Sequence, residues 1–376
     1  MTDLQELRKE IDQIDSQMVA LYEKRAKIVE DVARYKIETG KPVLDPQREQ
    51  ALLEKLGEKT HSDFNCRSIR EVYQQIMSIS RRRQYQLLQE HGKSPDLGFT
   101  QAEALNRDHV TVVFQGVEGA YSYAAMNAFF GKDIKSFHVD TWKDAMEAIR
   151  TQKADYAVLP IENSTAGIVQ DNYDLLTKYD HYIVGEQIIP CQHALVGLPG
   201  ASLDQITDVY SHPQALMQCR EFLEGHPEWK IHEYGNTAAA AKKIAEEKDA
   251  TQAAISSPYA AEFFGLALLK EKIYTNEGNS TRFIIVARDK IYWKGAGKIS
   301  VSYELPHATG SLYNSLSHFI YNGLNMTKIE SRPVPGRNWE YRFFVDFEGN
   351  LSSSAVKNAL LGLKEEAQNL RIHGNY

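Results

Sequence analysis

The sequence has few cysteines, and none of them is spaced to bind a metal. There are three among 376 residues, Cys66, Cys191 and Cys219. They form no CxxC pair, and their odd number does not suit a set of paired disulfides. We therefore expect reduced thiols, as in the cytoplasm, with neither a structural disulfide nor a thiolate metal site.

The chain also lacks an excess of positive charge and long apolar runs. Lys and Arg number 43 against 50 Asp and Glu, a net charge of -7, which argues against a general attraction to nucleic acid. No stretch approaches the roughly 18 consecutive apolar residues of a membrane span, and the start of the chain has no apolar signal core. We expect a cytoplasmic protein that contacts neither nucleic acid nor membrane and binds anions only in a locally basic pocket.

What is present divides into three segments, as the length of the chain leads one to expect. Residues 1–91 have an almost purely helical pattern, and 92–107 read as a linker because they contain Gly, Pro and Ser without periodicity. Residues 108–290 alternate short β-rich runs with helical runs, which is typical of an α/β architecture. Residues 297–376 follow the order β-α-β-β-α-β, which is typical of a ferredoxin-like α+β module.

The helical segment begins with one very long predicted helix, capped by Thr2 and ended near Gly40. From about residue 3 to 39 it would be ~55 Å long, and shorter helices follow near 45–57 and 64–90. Those cannot cover it, so we expect a second copy of the chain to do so in an entwined homodimer. The apolar stripe that would face the partner has alternating spacings of three and four: Leu4, Leu7, Ile11, Ile14, Met18, Leu21, Ile28, Val32 and Tyr35.

Arg25 stands in this stripe where an aliphatic residue is expected, and Lys36 lies on the same face three turns later. An unpaired buried cation is costly, so each needs an anionic partner. For Arg25 alone, an ion pair with another helix would be the better explanation. Two cations on one stripe favour an anionic ligand instead, and arginine binds carboxylates through paired hydrogen bonds. Other polar residues could join them in a pocket for a small dicarboxylate, with Arg8 supplied by an antiparallel partner: Asp45, Arg48, Glu49, Ser80 and Gln84.

The motifs "LRKEID", "YEKRAKIVEDVARYK" and "DPQREQ" resemble the all-helical chorismate mutases, over residues 4 to about 90. The resemblance implies an entwined dimer whose pocket rearranges chorismate to prephenate. The protein would hold the substrate in its reactive shape and stabilise charge on the breaking ether bond. By the same resemblance, the catalytic residues are Lys36, Glu49 and Gln84, and the substrate-binding residues are Arg25, Asp45, Arg48 and Ser80, with Arg8 from the partner.

In the middle segment, several predicted strands end in polar residues. The carboxyl ends of strands are where open α/β sheets bind ligands, although Ser, Thr and Asn there also serve as helix caps. "FQGVEGAYS" is better explained as a plain β–α turn, because it lacks a complete phosphate-binding motif. Four polar strand ends in one domain predict a cleft lined with hydrogen-bond donors, formed by "LPIENSTAG" (159–167), "YSHPQAL" (210–216), "YGNTAAAA" (234–241) and "GNSTRF" (278–283).

In this order, these stretches resemble prephenate dehydratase over about residues 109–288. The resemblance implies a two-lobed fold like the periplasmic binding proteins, in which prephenate loses water and CO2 to give phenylpyruvate without metal or organic cofactor. Thr281 matches the family's catalytic threonine, and His212 is predicted to be structural. The remaining candidates are Glu162 and Asn163 as catalytic residues, and Ser164, Gln214, Thr237, Arg282 and Phe283 as substrate-binding residues.

The last segment resembles an ACT domain, which in this family binds phenylalanine as an effector between paired subunits. The motif "ESRP" matches the effector motif, and "TGSL" (309–312) stands where the family usually has PGAL, so Thr309 and Ser311 depart from the pattern. The implied effector-binding residues are Gly310, Leu312, Glu330, Ser331, Arg332 and Pro333.

The order of the three resemblances is that of the fused chorismate mutase–prephenate dehydratase family, so we expect both activities. Two alternatives remain. One is a dehydratase whose helical segment only dimerises, but such a segment would have no use for the cations Arg25 and Lys36. The other is a non-enzymatic amino-acid sensor on a binding-protein fold, which would bind ligand without turnover. Whether dimers assemble further into tetramers is open.

Overall fold

The computed structural model of the protein describes residues 3–93 and 96–376. The chain forms two compact units. One contains the described residues up to Gly98 together with Gly297–Ile372, and the other contains Phe99–Ala296 and His373–Tyr376. The helical segment and most of the last module therefore share one unit, an association that the sequence did not predict. No helix of the described ranges is long and apolar enough to cross a membrane.

The first unit begins with three helices: α1 (Leu4–Thr39), α2 (Pro46–Gly57) and α3 (Asp63–Glu90). Asp3 caps α1 by accepting a hydrogen bond from the Gln5 amide at 3.1 Å, whereas Thr2, the predicted cap, lies outside the described residues. Gly40 ends the helix in the left-handed conformation, as expected for a glycine there.

The face of α1 that packs inside this chain is not the predicted stripe. Ala33 and Ile37 are buried and Arg25 is half-buried, while the stripe residues are all exposed, from 40% at Val32 to 67% at Leu21. The stripe is thus left without an intrachain partner along the described part of α1.

The second unit contains strands β1 (Thr100–Ala102), β2 (Thr111–Gln115), β3 (Lys135–Val139), β4 (Tyr156–Asn163), β5 (Gly167–Ile168), β6 (Tyr182–Pro190), β7 (Ala194–Gly197), β8 (Asp208–Ser211), β9 (Lys230–Glu233), β10 (Gln252–Ser256), β11 (Ala267–Lys270), β12 (Ser280–Ala287) and β13 (Ile291–Trp293). Its helices are α4 (Tyr121–Phe130), α5 (Trp142–Arg150), α6 (Gln170–Lys178), α7 (Pro213–Gln218), α8 (Arg220–Glu224), α9 (Thr237–Glu247) and α10 (Pro258–Phe264), with a 3-10 turn at Leu203–Gln205.

Most of these strands form two sheets, each with its own core, while β1 and β13 pair with each other in a separate two-stranded sheet. The first sheet has the order β3-β2-β4-β12-β6, and the second has the order β11-β7-β10-β8-β9. Val112, Phe114 and Phe283 lie in the core of the first, and Leu195, Val209 and Ile255 lie in a core of the second. The predicted mixed α/β architecture is confirmed, and we call the two halves the first and second lobes.

The last elements are β14 (Lys298–Glu304), α11 (Ser311–Ile320), β15 (Met326–Pro333), β16 (Tyr341–Glu348), α12 (Ser354–Glu366) and β17 (Gln368–Asn375). Their order is the predicted β-α-β-β-α-β, and β16 pairs antiparallel with both β14 and β15.

The loop between β2 and α4 brings the two lobes together at Gly119. This glycine has φ +85°, and a Cβ built on it would lie 3.1 Å from the Ala260 Cα of α10. Gly119→Ala is therefore expected to lower the free energy of unfolding by ~1–3 kcal/mol, because it adds left-handed strain and a close contact with backbone. Chemical denaturation measures this, with Gly235→Ala as the control, since nothing lies within 4 Å of the Cβ position there. Equal effects of the two substitutions would contradict the close approach.

Candidate active sites

In the second unit, two neighbouring strands of the first sheet bring Asn163 and Thr281 together. Asn163 ends β4, Thr281 is the second residue of β12, and the two are direct partners in the antiparallel register. The Asn163 amide nitrogen lies 3.0 Å from the Thr281 hydroxyl oxygen. Partners in register share one face of the sheet, so the predicted catalytic threonine and asparagine are adjacent.

Glu162 precedes Asn163 in β4, and Arg282 follows Thr281 in β12. These two residues are also partners in the antiparallel register. Because successive side chains in a strand point to opposite faces, they belong to the face away from Thr281. The Arg282 guanidinium is 3.5 Å from the Glu162 carboxylate and 3.3 Å from that of Glu186. The structure thus brings these two predicted residues together in a charged cluster but does not place them with the threonine.

Ser164 braces the turn that precedes β12. Its hydroxyl donates to the Gly278 carbonyl and accepts from the Ser280 amide, both at 3.0 Å. It therefore supports the site through the backbone of β12. Phe283, by contrast, is 3% exposed in the core of the first lobe, so the predicted substrate contact is replaced by a packing role.

Two further candidates begin helices of the second lobe. Gln214 lies in the first turn of α7, and Thr237 is the first residue of α9. His212 caps α7 by accepting from the Gln214 amide at 3.2 Å, which agrees with its predicted structural role.

Cys191 also contacts Thr281, although sequence reasoning gave it no role. Its sulfur is 3.1 Å from the Thr281 hydroxyl oxygen, and its amide donates to the Asn279 carbonyl at 2.8 Å. Burial raises the pKa of the Cys191 thiol, although its hydrogen bond with Thr281 opposes the rise. The thiol is therefore protonated at neutral pH. It was missed because only the register between β6 and β12 brings it here.

In the helical segment, Arg25 of α1 faces Ser80 of α3. The Arg25 guanidinium donates to the Ser80 hydroxyl at 2.6 Å, and the hydroxyl donates to the Ile76 carbonyl. A cavity of about 410 Å³ opens beside this pair, and its lining includes Arg82, Arg83 and the Glu30 carboxylate that pairs with Arg83 at 2.8 Å. No ion pair joins Arg25 to a carboxylate anywhere in residues 3–93 and 96–376. An intrachain ion pair therefore does not explain this arginine.

Lys36 and Glu49 form a second polar group with Arg81, a residue that sequence reasoning did not select. The Arg81 guanidinium binds the Glu49 carboxylate at 2.5 Å and the Glu366 carboxylate of α12 at 3.1 Å. Lys36 donates to the Val43 carbonyl at 2.5 Å. Burial lowers the pKa of Lys36, while Asp45 and Glu49 oppose that shift. The spacing of residues along α3 could have identified Arg81. It lies at helical spacing from Met77, Gln84 and Tyr85, and all four are on the buried face of the helix.

The other predicted mutase residues are less closely grouped. Gln84 is 7% exposed, and its amide nitrogen reaches the Ser80 carbonyl at 3.4 Å. Asp45 caps α2 by accepting from the Arg48 amide at 3.0 Å, and Arg48 itself is exposed. Arg8 is exposed on the first part of α1, so it does not join the pocket within one chain.

The predicted effector residues lie in separate places. Gly310 is the left-handed N-cap of α11, and Leu312 is 38% exposed. Thr309 and Ser311 line a cavity of about 360 Å³ with Trp339. The four predicted effector residues of the "ESRP" motif do not line that cavity. They form the end of β15 and alternate between half-buried and exposed: Glu330, Ser331, Arg332 and Pro333.

The α/β unit and the helical segment each match a known family. Residues 112–291 match the family model described as prephenate dehydratase, and residues 7–85 match that of chorismate mutase type II. The chain thus contains a prephenate dehydratase segment joined to a helical chorismate mutase segment.

A full-length relative settles the family. The chain is 33% identical to the bifunctional chorismate mutase/prephenate dehydratase of Escherichia coli (strain K12), over 98% of this chain and 95% of that one. The chain belongs to the bifunctional chorismate mutase/prephenate dehydratase family, and its prediction as such an enzyme is confirmed.

Two solved structures are similar to about 70% of the chain. A prephenate dehydratase in complex with L-Phe from Arthrobacter aurescens is 34% identical with a TM-score of 0.65, covering 71% of this chain and 89% of that one. A structure described as a novel type of quorum quenching acylase is 28% identical, also with a TM-score of 0.65, covering 70% and 96%. Fold alone thus does not separate these activities, and the residues of the site must do so.

Proposed function

We propose that this protein rearranges chorismate to prephenate in its helical segment and converts prephenate to phenylpyruvate in its α/β unit. The observation that carries the first step is the half-buried Arg25, which binds a neutral serine beside a cationic cavity. A guanidinium in that state is available to a carboxylate. Lys36 would donate to the ether oxygen of chorismate, with Glu49 and Gln84 assisting.

For the second step, Thr281 would donate its hydroxyl hydrogen to the leaving hydroxyl of prephenate. The C–O bond breaks as that proton is delivered, so that water leaves; CO2 leaves from the ring, and the electron pair of the broken C–C bond completes the aromatic ring. A proton from solvent then restores the Thr281 hydroxyl. A free threonine hydroxyl is a weak acid, so its orientation by neighbours decides its efficiency. Asn163, at 3.0 Å, is the neighbour that supports this assignment.

The test is to give the purified protein chorismate alone and to follow both chorismate loss and phenylpyruvate formation. Formation of phenylpyruvate supports both assignments. If chorismate persists while added prephenate is converted, the helical segment only dimerises. If neither is converted, both assignments fail.

We also infer that two copies of the chain pair through α1, because its apolar stripe is exposed along the described helix. Ile14→Glu is expected to dissociate the dimer and to reduce mutase activity at least tenfold, since Arg8 would come from the partner, while the dehydratase is retained. Analytical ultracentrifugation measures the assembly, with Gln13→Glu as a control that adds the same charge beside the stripe. A variant that stays dimeric would contradict the pairing.

The last module is proposed to be an ACT domain that binds phenylalanine and inhibits the dehydratase. Its β-α-β-β-α-β order and its "ESRP" motif support this, as does the likeness to a dehydratase solved with L-Phe. Adding phenylalanine to the same assay tests it, and an unchanged rate would reject it.

A further inference from the structure

The side-chain amide of Asn163 has a single possible orientation. Its oxygen accepts from the backbone amides of Thr165 and Ala166 at 3.0 and 2.9 Å. With the oxygen held there, the nitrogen must face the Thr281 hydroxyl oxygen at 3.0 Å and the Asn279 side-chain oxygen at 2.8 Å. Since an amide nitrogen only donates, Thr281 is an acceptor in this contact.

The same order from donor to acceptor continues through the side chain of Asn279, which is 3% exposed. Its oxygen accepts from Asn163 and also from the Thr165 hydroxyl at 2.7 Å. Its nitrogen therefore donates to the side-chain oxygen of Gln218, 3.1 Å away. Gln218 belongs to α7 of the second lobe, so the chain of hydrogen bonds crosses from one lobe to the other.

His193 is the next member, and its protonation follows from the same logic. Its Nε2 faces the Gln218 oxygen at 2.8 Å, so this nitrogen carries the hydrogen. Its Nδ1 is then an acceptor, and the Tyr121 hydroxyl oxygen lies 3.1 Å from it and 3.3 Å from the Gln192 carbonyl, the two acceptors available to its one hydrogen. Burial lowers the pKa of His193, although the bond with Gln218 opposes the shift. The neutral ring is its ordinary state.

The direction of the chain decides where the hydroxyl hydrogen of Thr281 points. Because its oxygen accepts from Asn163, its hydrogen is not used in that contact; the other neighbour is the Cys191 sulfur at 3.1 Å, and either of these two groups can donate to the other. A thiol sulfur is a weak acceptor. The hydrogen is thus directed away from the asparagine and only weakly held.

We propose that His193 and Gln218 are positioning residues of the dehydratase: they fix Asn279, which fixes Asn163, so that Thr281 presents its hydrogen to the leaving hydroxyl. Neither residue contacts Thr281 in the structure. This proposal rests on the catalytic assignment of Thr281. It gives a kinetic role to a series of hydrogen bonds that would otherwise only connect the two lobes.

The test measures kcat and KM of the dehydratase in the full-length protein, with mutase activity as an internal control. His193→Leu and Gln218→Met should each lower kcat about tenfold, the effect of roughly one lost hydrogen bond, with KM for prephenate within about twofold. His193→Gln, which can keep an N–H near the Nε2 position, should recover most of the loss. Rescue by the polar substitution separates a hydrogen-bonding role from simple packing.

Thr281→Val, measured alongside, distinguishes a failure of the catalytic assignment of Thr281 from a failure of the positioning role of His193 and Gln218. If it keeps dehydratase activity, the proposed function of Thr281 fails. If it loses activity while His193→Leu and Gln218→Met keep kcat within about twofold, the positioning role is wrong. A rise in KM alone, or a His193→Gln variant as slow as His193→Leu, also overturns it. Should His193→Leu fail to fold, Gln218→Met and His193→Gln decide the question.

Discussion

Thr281→Val is expected to lower the kcat of the dehydratase by about 10²- to 10⁴-fold, the usual contribution of a positioned proton donor, while the mutase is unchanged. Valine has nearly the same shape as threonine and removes only the hydroxyl. In the structure that hydroxyl contacts Asn163 at 3.0 Å and Cys191 at 3.1 Å, so the substitution removes these two contacts together with the proposed proton donor. Steady-state kinetics with prephenate measure the effect.

The matched control is Thr151→Val, because Thr151 is the C-cap of α5 and has an exposed side chain whose hydroxyl bonds only backbone carbonyls. It should keep both activities. Loss of both activities in Thr281→Val would mean that the fold had failed or that the two sites are not separate. Circular dichroism of the variant distinguishes these explanations.

Local patterns predicted most of the elements of the fold. The helical spacing of apolar residues predicted α1 to α3 within one or two residues, since a helix of this length declares its period over many turns. What the pattern could not reveal was which face of α1 packs within the chain. Arg25, Ala33 and Ile37 lie on the inner face, beside the apolar stripe rather than on it.

The alternation of side chains along a strand limits what the motifs can predict about the candidate site. Adjacent residues in a strand point to opposite faces, so the motif "NSTRF" could not place both Thr281 and Arg282 at one site. Asn163 and Thr281 are adjacent because they are partners in register on one face. Cys191, His193 and Gln218 depend on pairing between distant segments, and a single sequence does not reveal that register.

Arg25→Ala is expected to reduce mutase kcat/KM by about 10²- to 10³-fold or more, as removal of a preorganised charged donor does, and to leave the dehydratase within about twofold. The helical segment has other cations, so the prediction depends on position rather than on charge. Arg25 is half-buried and bonded to Ser80 at 2.6 Å, whereas Arg34 on the same helix is exposed and pairs with Asp31 at 2.7 Å. Arg34→Ala is thus the control, and it should keep the mutase.

The kinetics of Arg25→Lys would show what the guanidinium contributes. Lysine keeps the charge but cannot form two parallel hydrogen bonds with a carboxylate, so a variant that stays impaired would indicate paired carboxylate binding. Full mutase activity in Arg25→Ala would mean that Arg25 does not bind the substrate. Its hydrogen bond with Ser80 would then serve only to hold the helices together. The cationic cavity beside it would need another ligand, and the mutase site would have to lie around Lys36, Glu49 and Arg81 alone.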